Sequence, residues 1–112
     1  MSMRDASGLL RDMLDHAREA VSFLEGKTRS DLFADRQFSL ALVRLLEIVG
    51  EAAAQIPKDY RDRHPEIAWA PIIGARNRLI HGYAVVDLDI VWQIADEDLR
   101  TLIPMLEGLL SR

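Results

Sequence analysis

The apolar residues of this chain recur every three or four positions, which is the repeat of an amphipathic α-helix. In residues 6–26 the residues that fit this repeat are Leu10, Met13, Leu14, Ala17, Val21 and Leu24. Gly26 follows them, and glycine is typical of helix C-termini. The sequence contains no Asn-Gly or Asp-Gly turn and no long period-two alternation, which are the usual signals of hairpins and strands. The pattern therefore predicts an all-α protein.

Prolines and capping residues divide the rest of the chain into further segments. A second helix is predicted from about Asp35 to Ile56, where Pro57 would stop it. Ser30, followed by Asp31, is a candidate cap for a short turn before this helix. The polar, proline-bounded segment 57–68 is predicted to be a loop.

Two more helices complete the prediction. Pro71 suits the first turn of a third helix, which would continue through "IIGARNRLI" towards Gly82. A final helix would begin at a cap provided by Asp87 or Asp89, and Pro104 should bend it or split off its last turn. Four principal helices with short connections make an up-and-down bundle, with room for an extra short helix. We expect residues 1–112 to form a single domain.

Composition excludes several classes of protein. No run approaches the ~20 apolar residues that a membrane span needs, and the N-terminus lacks the apolar core of a signal peptide. The chain has no cysteine, so neither disulfides nor thiolate metal sites are available. These features favour a cytoplasmic protein. A net charge of −4 argues against a broad phosphate-binding surface, although it leaves room for a small local site.

The segment "RNRLIHGY", Arg76 to Tyr83, gathers several polar groups at fixed spacing. It is predicted to end the third helix, where Asn77 and His81, four residues apart, would share a face. Gly82 would free the backbone beside them. A fixed cation and an imidazole that titrates near neutral pH are the groups needed to cleave a phosphodiester without a metal.

The same residues also have a purely structural explanation. A histidine near a helix C-terminus interacts favourably with the last carbonyl groups and the helix dipole, and so do arginines such as Arg76 and Arg78. Tyr83 could be a half-buried core residue whose hydroxyl reaches water. Spacing alone favours this interpretation.

A family resemblance changes the balance. "RNRLIHGY" is similar to the R-x4-H-x-Y signature of HepT-like toxins, a branch of the HEPN superfamily, with Arg76, His81 and Tyr83 at the motif positions. "LLEIVGEAA" resembles the second helix of that family, "HPEIAWAPIIGARNRLIHGY" its central block, and "LDIVWQIADEDLRTLIPML" its last helix. The order of these four segments makes the resemblance specific.

The resemblance implies a HEPN helical bundle that works as a homodimer, with both motifs facing one cleft. It also implies ribonuclease activity and a partner antitoxin, the nucleotidyltransferase MntA. That partner would transfer AMP from ATP to the motif tyrosine, Tyr83, and silence the toxin. No cofactor is implied.

Chemistry gives a reason for the dimer. Attack by a ribose 2′-hydroxyl needs a base for that oxygen and an acid for the departing 5′-oxygen. One chain offers one suitably placed histidine, whereas a two-fold dimer offers two. We therefore expect His81 to act as base or acid, Arg76 to hold the phosphate and Asn77 to orient the site. Arg78 is a second candidate for phosphate binding.

The last predicted helix also bears on the proposed dimer. Apolar residues of the last helix, such as Ile90, Val91 and Ile94, exceed what one core face needs, so some of them are candidates for the dimer interface.

Glu47 and Glu51 could be a metal pair, but pairing with Arg44 or with a motif arginine fits better because no histidine follows at the spacing of di-metal bundles. Gly50, between them, indicates close approach of a neighbouring helix, which we expect to carry the motif. A second class of function is a non-catalytic HEPN module that binds a nucleotidyltransferase and presents its substrate.

Overall fold

The computed structural model of the chain describes residues 5–81 and 85–112. Within these residues, helices account for most of the structure, accompanied by one π-helical segment (Ile94–Asp98) and a pair of two-residue strands. The helices are α1 (Ala6–Ser22), α2 (Arg29–Ala34), α3 (Arg36–Gln55), α4 (Lys58–Arg63), α5 (Trp69–Ile73), α6 (Ala75–Leu79), α7 (Leu88–Gln93) and α8 (Leu99–Leu110), and the strands are β1 (Ile80–His81) and β2 (Val85–Val86). The prediction of an all-α fold is confirmed.

Helix α1 forms where the apolar pattern predicts it. The Asp5 carboxylate accepts a hydrogen bond from the Gly8 backbone N–H at 2.9 Å and caps its first turn. The face that the pattern predicts to be apolar packs against α3 and α8. Its buried residues are Leu9, Leu10, Met13, Leu14, Ala17 and Ala20. The helix ends at Ser22, and Gly26 occupies the left-handed region (φ 69°) in the turn that follows.

The short element before α3 differs in detail from the prediction. Thr28, not Ser30, caps α2, because Thr28 and Asp31 form a reciprocal capping box. The Asp31 backbone N–H donates to the Thr28 hydroxyl, while the Asp31 carboxylate accepts from the Thr28 N–H at 2.7 Å. Ser30 lies inside the helix.

Helix α3 confirms the predicted second helix. The Asp35 carboxylate accepts from the Phe38 N–H at 3.2 Å, and Ile56, in an extended conformation before Pro57, ends the helix. This helix packs against α1, α2, α5, α6 and α7. Its buried face consists of Phe38, Leu42, Leu45, Leu46, Val49, Ala52 and Ala53.

The prediction of a loop over residues 57–68 is wrong for its first half, which forms α4. The polar residues that indicated a loop are paired one turn apart along the helix. Lys58 contacts Asp62 at 2.9 Å and Arg63 contacts Asp59 at 3.4 Å. None of the six residues of α4 is buried, so no apolar pattern marks this helix in the sequence.

The predicted third helix is also interrupted. Gly74 separates α5 from α6, and the helical path ends at Leu79. Ile80 and His81 instead pair in antiparallel fashion with Val86 and Val85. The prediction that Asn77 and His81 share one helical face is therefore wrong, because His81 lies in β1. Strand pairing takes over at Ile80, Val85 and Val86, which are β-branched residues that favour extended backbone.

The last helical segment is capped by Asp87, whose carboxylate accepts from the Asp89 and Ile90 N–H groups at 3.1 and 3.2 Å. Pro104 lies inside α8 and does not split off its last turn. The irregularity lies earlier, in the π-helical segment between α7 and α8, where the Leu99 N–H bonds to the Ile94 carbonyl five residues back.

Of the three apolar residues named as candidates for a dimer interface, two belong to the core of the single chain. Val91 and Ile94 expose 0% and 5% of their surface, whereas Ile90 is half-buried. The last helical segment needs these apolar residues for the core of the single chain, because α2, α3 and α6 all pack against α7. Within the described residues, no helix is long and apolar enough to cross a membrane.

Glycine allows a close contact between α3 and α5. A Cβ added at Gly50 would lie 3.0 Å from the Ile72 carbonyl oxygen, whereas one added at Gly108 in α8 would meet no heavy atom within 4 Å. Alanine normally stabilises a helix relative to glycine by up to about 1 kcal/mol. We expect Gly108→Ala to raise the free energy of unfolding by up to that amount. At Gly50 the repulsion should cancel or reverse the gain.

Chemical denaturation of the two variants measures the difference directly. The close contact is disproved if Gly50→Ala stabilises the protein as much as Gly108→Ala does.

Candidate active site

The residues of the predicted motif lie on two short elements. Helix α6 carries Arg76, Asn77 and Arg78, and strand β1 carries His81. For Arg76 and His81 the structure describes the backbone. Tyr83 and Gly82 lie outside the described residues. The motif thus spans the end of a helix and the beginning of a hairpin, so its groups are not arranged by one helical repeat.

Buried anchors hold this segment in place. Ala75 and Leu79, at the two ends of α6, expose 6% and 1% of their surface. The hairpin is joined to α6 through the Asp87 N–H, which donates to the Leu79 carbonyl at 2.7 Å. Upstream, Trp69 is buried at the start of α5, and its indole N–H donates to the His64 carbonyl at 2.9 Å. These contacts fix the backbone on which the polar motif residues lie.

The close contact at Gly50 brings α3 next to the segment that leads into the motif. Its neighbour is α5 rather than α6, so the prediction that Gly50 marks a close helix contact is correct, but the adjoining element is the one just before the motif helix. Gly50 also lines a small pocket of about 130 Å³ together with Glu47, Glu51 and Ile73.

The two glutamates do not form a metal site with other residues that the structure describes. Glu51 contacts Arg44 at 3.3 Å, as the pairing alternative predicted. Within residues 5–81 and 85–112, no group of three or more His, Asp or Glu side chains could hold a metal ion.

The side chains of Asn77 and Arg78 have different surroundings. Asn77 is exposed on α6. Arg78 is 39% exposed, and its Nη1 lies 4.0 Å from Oδ2 of Asp98, which is 46% exposed. Asp98 is the last residue of the π-helical segment. Sequence reasoning did not identify Asp98, because its contact with Arg78 depends on how two distant segments pack.

A pocket opens between this ion pair and the bundle. It has a volume of about 280 Å³, and its walls come from α3, α5, α6, the π-helical segment and α8. No local sequence signal marks such a pocket, since each of these elements contributes only two or three residues to it.

Comparisons with known proteins agree with this architecture. Residues 13–109 match the family model described as "Ribonuclease HepT-like". A probable ribonuclease HepT of Thermococcus cleftensis is 38% identical over 96 residues, covering 82% of this chain and 87% of the relative. A candidate RNase of Methanocaldococcus jannaschii is 35% identical over 98 residues, covering 88% and 90%. A candidate RNase of Caldanaerobacter subterraneus is 32% identical over 106 residues, covering 91% and 95%.

No solved structure matches the chain at a significant level. The family match covers α3, α5 and α6 in full and all but the last residue of α8, and it includes the whole motif segment. It confirms the resemblance drawn from "RNRLIHGY" and the segments around it. The chain therefore belongs to the HepT-like family of the HEPN superfamily.

Proposed function

We propose that this protein is an endoribonuclease that cleaves RNA without a metal ion and serves as the toxin of a toxin–antitoxin pair. The observation that carries the proposal is the intact "RNRLIHGY" segment in a chain of the HepT-like family, several relatives of which are named as ribonucleases. The buried anchors at Ala75 and Leu79 support it, because a catalytic segment needs a rigid backbone. The protein would act on RNA in the cytoplasm.

The proposed reaction is attack of a ribose 2′-hydroxyl on the adjacent phosphorus. One imidazole, that of His81, takes the proton from the 2′-oxygen as the new P–O bond forms. A second imidazole, protonated, gives a proton to the 5′-oxygen as its bond to phosphorus breaks. The products are a 2′,3′-cyclic phosphate and a 5′-hydroxyl end. Arg76 stabilises the negative charge that builds up on the phosphate oxygens, and Asn77 orients the site.

The need for two imidazoles leads us to propose a two-fold homodimer. Two copies of His81 and Arg76 facing one cleft supply the base, the acid and two cations for the phosphate. Because Val91 and Ile94 are buried within the chain, they are not available for the interface. The half-buried Ile90 is still available for it.

The catalytic assignment predicts the behaviour of two alanine variants. His81→Ala removes the proton carrier and Arg76→Ala removes the phosphate cation, so each should lower the cleavage rate by at least about 100-fold. Each variant should remain folded, since the buried anchors of the segment are Ala75 and Leu79. Cleavage of a labelled RNA by purified protein in EDTA, with thermal melting as a check of folding, measures both effects.

Matched controls are available on α1. His16→Ala and Arg11→Ala remove the same types of side chain from a helix that does not carry the motif, and both should keep full activity. Full cleavage by folded His81→Ala would refute the mechanism. Loss of wild-type cleavage in EDTA, restored by a divalent ion, would refute metal independence. A wild-type protein that cleaves no RNA would instead favour the non-catalytic module that presents a substrate to a nucleotidyltransferase.

We further propose that an MntA-like nucleotidyltransferase silences the protein by modifying Tyr83. The phenol oxygen would attack the α-phosphorus of ATP, pyrophosphate would leave and the phenol proton would be lost. Tyr83 follows His81 by two residues in the sequence, so the adduct adds a negative phosphate and an adenosine next to the proposed site. The phosphate would compete for Arg76, because arginine binds phosphate oxygens strongly. Arg78, whose Nη1 lies 4.0 Å from Oδ2 of Asp98, has further N–H donors and is a second candidate for contact with that phosphate.

This proposal separates silencing from cleavage. Tyr83→Phe lacks the acceptor oxygen but keeps the ring, so it should retain most of the cleavage activity and resist the nucleotidyltransferase. Intact-mass measurement after incubation with the partner, ATP and magnesium should show added AMP on the wild type alone. Tyr60→Phe, a change at the other tyrosine of the chain, is the control and should be modified like the wild type. Modification and silencing of Tyr83→Phe would show that another residue is the acceptor.

A further inference from the structure

The pocket beside α6 has the size and lining of a small-molecule site. Its volume of about 280 Å³ lies just below the usual range for ligand pockets, ~300–1,000 Å³, and suits a small ligand of one or two rings. Its walls are largely apolar, with contributions from Leu46, Val49, Pro71, Ile72, Leu99 and Leu102. Apolar walls with a few convergent polar groups are what small-molecule sites have in common.

The polar groups of this pocket are a cation and an anion at its edge. Arg78 and Asp98 both line it and lie 4.0 Å apart, at the outer limit of an ion pair. Both are partly exposed, and an ion pair of this kind contributes little to stability. A ligand that offers acceptors to the guanidinium and donors to the carboxylate can therefore replace their mutual contact at small cost.

The π-helical segment is what places Asp98 there. An extra residue in a helical turn rotates everything that follows by about 100° relative to a regular helix. Ile94 and Asp98, the first and last residues of that segment, both line the pocket. π-Helical turns occur frequently at functional sites, and this one supplies both an apolar wall and the carboxylate.

We propose that this pocket binds a guanine base of the RNA substrate. The flat faces of the base suit the apolar walls. Its adjacent N1–H and N2–H groups can donate to the two oxygens of Asp98, while O6 and N7 accept from Arg78 in the paired arrangement that arginine favours. The N1/N2 edge and the O6/N7 edge of guanine are adjacent, because N1 and O6 are neighbours on the ring. Two side chains that lie close together, such as Asp98 and Arg78, can therefore bind both edges at once. Adenine would place its N1 acceptor against the carboxylate, which is repulsive.

The pocket residue Arg78 and the motif arginine, Arg76, belong to the same helix, α6. Arg78 follows Arg76 by two residues, which corresponds to about 200° around a helix. The pocket would thus bind a base at some distance from the cleaved phosphate and select the sequence without taking part in proton transfer. As an RNA subsite this assignment rests on the proposed function, but binding of the base can be measured without cleavage.

Binding of the four nucleoside monophosphates to the full chain tests the assignment by calorimetry. GMP should bind at least about 5-fold more tightly than AMP, CMP or UMP. Asp98→Asn, which replaces one carboxylate oxygen by an amide donor, should weaken GMP binding by about 5- to 150-fold. Asp96→Asn is the matched control, because Asp96 belongs to the same segment, is similarly exposed and contacts Arg100 at 3.1 Å. It should bind GMP like the wild type.

A cleavage assay then identifies the source of the base. Replacing one guanine by inosine, which lacks the N2 amine, should slow cleavage of an RNA by the wild type but not by Asp98→Asn. GMP binding without any guanine preference in cleavage would indicate a site for a free nucleotide and overturn the RNA subsite.

Two other results would overturn the pocket assignment itself. One is equal binding of the four nucleotides. The other is an Asp98→Asn variant with unchanged GMP binding but an altered oligomeric state in light scattering, which would make the pocket a protein interface. If the wild type cleaves no RNA yet binds GMP selectively, the proposed function fails while the guanine pocket stands.

Discussion

The contact between α3 and the C-terminal end of α5 is the constraint on which the rest of the structure depends. At Gly50 the two backbones approach so closely that a Cβ would lie 3.0 Å from the Ile72 carbonyl oxygen. Helix α3 also packs against α1, α2, α6 and α7. The position of α5 relative to α3 therefore determines where α6, and with it the motif, lies relative to the core. A glycine far from the motif in sequence in this way controls its placement.

The elements that the sequence predicted well are those with strong local signals. Helix α3 begins after its cap, Asp35, and stops before Pro57, because a cap and a proline act over a few residues whatever the surrounding fold. Helix α4 was missed because it has no buried residue, and the hairpin at His81 was missed because two-residue strands produce no period-two pattern. The break at Gly74 was not predicted, because the residues on both sides of it have a helical pattern and are helical in the structure.

The candidate site also has a part that the sequence predicts and a part that it does not. Arg76, His81 and Tyr83 could be chosen from the sequence because their types and spacing match the family signature, and Asn77 because it is the polar residue next to the motif arginine. Their surroundings could not. The pairing of Arg78 with Asp98 depends on a π-helical turn and on the packing of that turn against α6, and the pocket beside them is lined from five segments. Such arrangements arise from tertiary packing and leave no local pattern.

The central claim is that His81 and Arg76 from two chains form one RNA-cleaving cleft. A subunit-mixing experiment tests it most directly, in which wild-type protein and His81→Ala are combined in equal amounts, denatured and refolded together. If both histidines are needed in each cleft, about a quarter of the dimers are active, so cleavage should fall to about a quarter of that of the same total amount of wild type. Cleavage at about half would show that each chain acts alone and would contradict the account.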